Sequence, residues 1–252
     1  MLQNRNGPCP LLAITNVLRL RGDAPPDLED PRHPPVRQTS TSPVAEQELL
    51  SRLAHRLLHP SPNHDGPSDA NVQKTVDDAL RILPKLRSGI DVNVFFHHVR
   101  SFEYTDEIST FDLCAIPLLH GWVVDPEKER EVALAMGGKS YNTLITAVLG
   151  DGDSKDGPSL VESDWESGQG PGPGPGPGPG GSSWSPRDRS ASLALVRAWL
   201  EMHSSQLTTY GLAQLREEMG EGTYAVLFHN NHFSAVTKYK GDIYALVTDE
   251  GT

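Results

Sequence analysis

The sequence predicts an α+β fold in which helices pack on a mainly antiparallel sheet. Two observations carry this. Apolar residues recur at three- and four-residue spacing over several separate stretches, the spacing that gives a helix one buried stripe. From Tyr224 onward the period falls towards two, and three short apolar runs are joined by Asn230-Asn231 and Lys240-Gly241-Asp242, which is the turn chemistry of a meander. A chain of 252 residues is long enough for one domain with a real core.

The first helix is expected over Pro10 to Arg21, with Leu11, Ile14 and Leu18 on one stripe, Leu12, Ala13 and Val17 widening it, and Gly22 as its stop. Residues 23–43 hold Pro25, Pro26, Pro31, Pro34 and Pro35, which oppose any regular hydrogen-bonded element, so this is a surface loop. Helices follow at Glu46 to Leu58 and Asn71 to Leu83, joined through Pro60, Pro62 and Pro67 as an antiparallel pair. Asp91 to Val99 alternates through Val92, Val94 and Phe96 and predicts a half-buried strand, and the apolar run Phe111 to Leu119 predicts a more buried one. Glu127 to Met136 and Tyr141 to Leu149 return to the helical period.

The stretch at about 150–186 differs in kind, because a strict Gly-Pro repeat from Pro171 to Gly180 lies inside Gly, Ser and Asp. It cannot bury enough apolar surface to offset the cost of ordering its backbone, so a disordered insert is expected within a single domain of residues 1–252. Trp165 and Trp184 at its flanks either dock on a surface or stay exposed. Helices at Ser190 to His203 and Thr208 to Met219 precede strands at Tyr224 to Phe228, His232 to Tyr239 and Ile243 to Thr248, so that His232 opens the middle strand of the meander.

Composition excludes several classes. With 33 acids against 22 bases the net charge is −11, which argues against nucleic acid as a partner, since phosphate binding needs clustered Lys and Arg. Two cysteines, Cys9 and Cys114, are too few for a disulfide scaffold or most structural zinc sites, so no metal or cofactor is expected. They also fit a reducing compartment. No apolar run approaches the roughly 20 residues of a membrane span, and no signal peptide is seen. The expectation is a soluble, cytoplasmic monomer with no membrane partner, with nuclear residence open.

The most informative stretch is Gln3 to Pro10, which puts a thiol where an irregular loop hands over to an apolar helix. Pro10 suits the first helical position, making Cys9 the N-cap. The helix's positive end then favours the thiolate, which is the nucleophilic form. Gly7 permits close substrate approach, and Gln3 can offer its side-chain amide to an oxyanion. The alternative is a small cysteine filling space at a helix start. Cys114 sits in an apolar run, where packing is expected. Among ten histidines, His232 differs in opening a strand directly after a tight turn, although that position also suits a structural role. In His120 to Pro126, Asp125 is a candidate to orient an imidazole and Trp122 a candidate groove wall; equally, Asp125 caps a turn and Trp122 packs.

Taken together, Gln-Asn-Arg-Asn-Gly-Pro-Cys-Pro-Leu-Leu-Ala-Ile at 3–14, His-Gly-Trp-Val-Val-Asp-Pro at 120–126 and Asn-Asn-His-Phe-Ser at 230–234 resemble the MINDY family of deubiquitinating cysteine proteases. Asp-Val-Asn-Val at 91–94, Phe-Glu-Tyr-Thr at 102–105, Tyr-Asn-Thr-Leu at 141–144, Gln-Leu-Thr-Thr-Tyr-Gly-Leu at 206–212 and Leu-Val-Thr-Asp-Glu-Gly at 246–251 add to it. The resemblance implies a papain-like arrangement in an α+β fold, and thiol-dependent cleavage of isopeptide bonds in polyubiquitin. The linkage implied is the one that marks proteins for the proteasome, with trimming from the distal end. It makes Cys9 the nucleophile, His232 the general base and acid, and Gln3 the oxyanion donor. The partners it implies are ubiquitin and polyubiquitin chains. Asn6, Gly7, Trp122, Asp125 and Asn231 are candidates for substrate contact, and Asp125, Asn230 and Asn231 for a third triad member. Family members carry sequence before the Gln-Asn stretch and after the Thr-Asp-Glu-Gly stretch, so truncation at both ends is expected, with a catalytically impaired ubiquitin-chain-binding module as the alternative function. Hydrolysis of small amides by the same pair is a third reading.

Overall fold

A helix that is apolar all round must be covered on all sides, and α1 (Cys9–Arg21) is such a helix: every residue from Pro10 to Leu18 is buried. The predicted stripe of Leu11, Ile14 and Leu18, widened by Leu12, Ala13 and Val17, is buried, and the fold encloses Pro10, Thr15 and Asn16 as well. In the computed structural model, residues 9–22, 47, 49–51, 53–54, 81–87, 89–150 and 186–246 are described. Leu49, Leu50 and Leu53 cover one side of α1, Leu83 and Leu86 of a 3-10 turn (Leu83–Arg87) join them, and a sheet covers another side. Burial of each large apolar side chain contributes about 2 kcal/mol.

The sheet has four strands in chain order, β1 (Leu118–His120), β2 (Tyr224–His229), β3 (His232–Tyr239) and β4 (Asp242–Ala245). β1 runs parallel to β2, and the other neighbours are antiparallel. The meander predicted at the C-terminal end is therefore present, with His232 opening its middle strand. Both of its turns place two residues at positive φ, Asn230 and Asn231 at 49° and 56°, and Lys240 and Gly241 at 52° and 81°. This mirror-image turn matches the twist of the flanking strands.

Val226, Phe233 and Ala235 face α1, while Leu119, Ala225 and Val236 face the other way, onto Leu215 and Met219. Leu215 belongs to α6 (Thr209–Glu218), which covers that second face. A separate cluster joins α3 (Arg130–Met136), α4 (Tyr141–Gly150) and α5 (Pro186–Met202) through Met136, Leu144, Val196, Trp199 and Leu200.

Two expected strands are corrected. Residues Asp106–Leu113 form a helix, α2, and of the run Phe111 to Leu119 only Leu118 and Leu119 are strand, at the start of β1. Asp106 and Glu107 in the first turn complement the helix dipole, and Ile108 and Phe111 lie three apart on its buried side. The apolar run straddled a helix end and a strand start. Asp91 to Val99 is no strand either: it pairs only at the isolated bridges Val94 with Phe102 and Phe95 with Ser140, because the chain doubles back through hydrogen bonds from Phe95 N–H to Ser101 O and Ser101 N–H to His98 O. The helix expected at Glu46 to Leu58 is helical where described, and Arg81 and Ile82 are helical at the end of Asn71 to Leu83. Residues 71–80 and 151–185, including the Gly-Pro insert, lie outside the described residues. Among the described residues no helix is long and apolar enough to cross a membrane.

Candidate functional site

Arg21 fixes the direction of α1 relative to the sheet. Its guanidinium donates to Ala115 O at 2.7 Å and to Tyr224 O at 2.8 Å, so the C-terminal end of α1 sits where β2 begins. Tyr224 pairs with Thr237 of β3, and five residues before Thr237 is His232. A helix of 13 residues rises about 18 Å, and five steps along a strand cover about 17 Å. Because α1 packs along β3 and β2, its first residue arrives at the end of the layer where His229 pairs with His232. Cys9 and His232, far apart in sequence, are thus brought to one end of one layer.

Cys9 is itself helical rather than an N-cap, and half-buried against the α1 cluster. Pro10, which lacks an N–H, is tolerated only in the first turn, so Cys9 still lies at the N-terminal, positive end of the α1 dipole. Neither Cys9 nor Cys114 is in a disulfide. Cys114 is 1% exposed at the end of α2. His232 is half-buried at the start of β3. Strand alternation groups His232 with Ser234 and Val236 rather than with Phe233 and Ala235, which pack against α1. Gln3, Asn6 and Gly7 lie outside the described residues.

Trp122 is 6% exposed and enclosed by Phe96, Tyr141 and Trp199, its ring stacked on Trp199 at 6.3 Å. It fills a core rather than lining a groove. Asp125 accepts the N–H groups of Glu127 and Lys128 at 3.0 and 3.1 Å, and Lys128 Nζ lies 3.2 Å from its other oxygen. Those backbone bonds, with the Lys128 charge, hold its carboxyl below the usual range. Its carboxylate is committed to its own turn. Asn230 and Asn231 are exposed and form the hairpin tip.

Two residues to which the sequence reading gave no site role, Ser205 and Gln206, brace that tip. Asn230 N–H donates to Gln206 Oε1 at 2.9 Å, and His229 Nε2–H donates to Ser205 O at 2.6 Å. The brace is rooted in the core: Leu207 bridges Gly121, and the Thr208 hydroxyl donates to Val123 O at 2.7 Å while accepting the Gly211 N–H. No local sequence signal marks these contacts, because each joins residues distant in the chain.

His120 ends β1 and is 1% exposed. Its Nδ1 accepts the Trp122 N–H at 3.2 Å, and Nε2 has no hydrogen-bond partner among the described residues. Burial, with minor help from His98 and His97, pushes its pKa down to about 4. The unfolded chain then takes up this proton first, near pH 6.5, so stability falls as pH drops from about 6.5 to 4, by up to about 3 kcal/mol. His120→Asn keeps an acceptor for Trp122 N–H and is expected to flatten that dependence in urea unfolding across this range. An unchanged slope would refute the assignment.

A family model described as MINDY deubiquitinase matches residues 1–252. The chain is 38% identical over 250 residues to the ubiquitin carboxyl-terminal hydrolases MINDY-1 of Bos taurus and Homo sapiens, covering 99% of this chain and 44% of each relative. It is 37% identical to ubiquitin carboxyl-terminal hydrolase MINDY-2 of Mus musculus, over 99% of this chain and 35% of the relative. The chain therefore spans under half the length of the curated relatives it matches.

Proposed function

This chain belongs to the MINDY deubiquitinase family, and on that premise we propose that it hydrolyses isopeptide bonds in polyubiquitin through a thioester on Cys9. The observation that supports this most is the delivery of Cys9 and His232 to one end of the α1–β3 layer. In the proposed reaction His232 takes the thiol proton, and the thiolate attacks the carbonyl of ubiquitin's C-terminal glycine. The tetrahedral oxyanion is met by the Gln3 amide, His232 returns the proton to the leaving lysine amine, and water hydrolyses the thioester with His232 again as base. We also propose the proteasome-targeting linkage as substrate and trimming from the distal end, both on the strength of the motif resemblance.

Linkage-defined tetraubiquitin, labelled at its proximal unit, tests these points together. The expected result is stepwise shortening of the labelled chain for the proteasome-targeting linkage, lost in Cys9→Ala. Equal cleavage of every linkage, or release of the labelled monomer first, would overturn the finer proposals. A second reading, chain binding without turnover, is favoured by strand alternation, which groups His232 with Val236 on the sheet face turned away from α1. It expects chain affinity that Cys9→Ala leaves unchanged, with no product. Deleting residues 168–181 is expected to leave activity within about a few-fold, because this Gly/Pro-rich stretch holds none of the residues assigned to the reaction. A collapse of activity with the fold retained would contradict this.

A further inference from the structure

We propose that Gln206 is a positioning residue for this reaction, holding the hairpin tip from which His232 starts; the proposal rests on the reading of Cys9 and His232 given above. A two-residue hairpin ends its ladder at the His229–His232 pair, so the Asn230 N–H has no strand partner. Gln206 supplies one, at 2.9 Å. The adjacent Ser205 carbonyl takes the Nε2–H of His229, the residue directly opposite His232 in register. Two consecutive residues therefore grip the hairpin at its tip and at its last rung.

Gln206 itself sits at φ 56°, a left-handed conformation that a side chain disfavours. Such a conformation persists where the surroundings over-determine it. Here Gln206 N–H donates to His203 O at 2.9 Å, and the two residues that follow are anchored to Gly121 and Val123 at the exit of β1. The conformation aims the side chain at the hairpin from a root in the core. A hairpin tip without such a brace is free to swing, and a displacement of about 1 Å in a proton-transfer group costs up to about a hundredfold in rate. A surface hydrogen bond that served stability alone would have no such leverage on kcat.

Gln206→Met keeps the length and loses the acceptor, and Gln206→Glu keeps the acceptor. Gln206→Met is expected to lower kcat for polyubiquitin cleavage about ten- to a hundredfold, with KM and melting temperature close to the parent, and Gln206→Glu to restore most of it. Independently of turnover, the Asn230 amide is expected to exchange its hydrogen faster in Gln206→Met and at the parent rate in Gln206→Glu. Parent-like exchange and kcat in Gln206→Met, equal impairment of both variants, or a rate loss tracked by the melting temperature would each overturn the proposal. His232→Ala, assayed alongside, separates the two readings. Full cleavage by His232→Ala removes the catalytic reading. An inactive His232→Ala beside an unaffected Gln206→Met removes only the role of Gln206.

Discussion

Cys9→Ala is expected to abolish covalent capture of a ubiquitin probe carrying a C-terminal electrophile, while the protein stays folded. Cys9 is half-buried at the edge of the α1 cluster, so trimming its sulfur removes little buried surface and costs at most about 1 kcal/mol. Loss of labelling would then be chemical, not structural. Cys114 is the internal control: at 1% exposure among Phe111 and the α1 leucines, its thiol has no access to a protein-sized reagent. Cys114→Ala is expected to cost about 1 kcal/mol in urea unfolding and to leave labelling intact. His232→Ala should slow labelling about 10²- to 10⁴-fold, the usual contribution of a general base, with mass spectrometry reporting the residual adduct on Cys9. Adduct on Cys114, or full labelling of Cys9→Ala, would remove the assignment.

The residues proposed to carry this chemistry were legible because their signals are local. A cysteine beside a helix-starting proline and a histidine after Asn-Asn can be read within a few positions, and the turn exists because two asparagines tolerate positive φ. The meander was legible for the same reason, each strand being bounded by its own turn. What failed was arbitration between periods in short apolar runs. Phe111 to Leu119 contains the last turn of α2, a left-handed Ala115 at φ 51° and the start of β1, and no periodicity survives three elements in nine residues. Asp91 to Val99 alternates because Val94 and Phe96 are buried, yet its hydrogen bonds are scattered over Ser101, Glu103, His120, Val124 and Tyr141 rather than forming a ladder with one neighbouring strand. Trp122 and Asp125 show the limit of motif reading: their stretch is distinctive in sequence, yet both serve packing and a turn. The brace from Ser205 and Gln206 was invisible because it is long-range in every contact.

The second large effect is expected at Gly211. In an ordinary helix interior, glycine to alanine gains about 0.5–1 kcal/mol. Gly211 lies in the first turn of α6, and a Cβ there would stand 2.0 Å from the carbonyl oxygen of Gly121 and 2.7 Å from its carbonyl carbon. Both obstacles are backbone, so no side-chain rotation relieves them, and the exit of β1 or the whole start of α6 must move. Overpacking of this kind costs about 1–3 kcal/mol or more, which outweighs the propensity gain. Gly211→Ala is therefore expected to be net destabilising by about 2 kcal/mol, lowering the melting temperature by about 4–8 °C in a domain of this size. Gly138, with nothing within 4 Å of its would-be Cβ, is the matched control, and Gly138→Ala should be close to neutral. The displacement also has a direction. Thr208 caps α6 through Gly211 N–H and anchors the segment that grips the His232 hairpin, so pushing α6 away from Gly121 should loosen the brace. Measured well below its melting temperature, Gly211→Ala is expected to lose activity beyond the fraction unfolded. A neutral or stabilised Gly211→Ala would mean that β1 and α6 do not approach as closely as the fold requires, and the link between core and hairpin tip would fall with it.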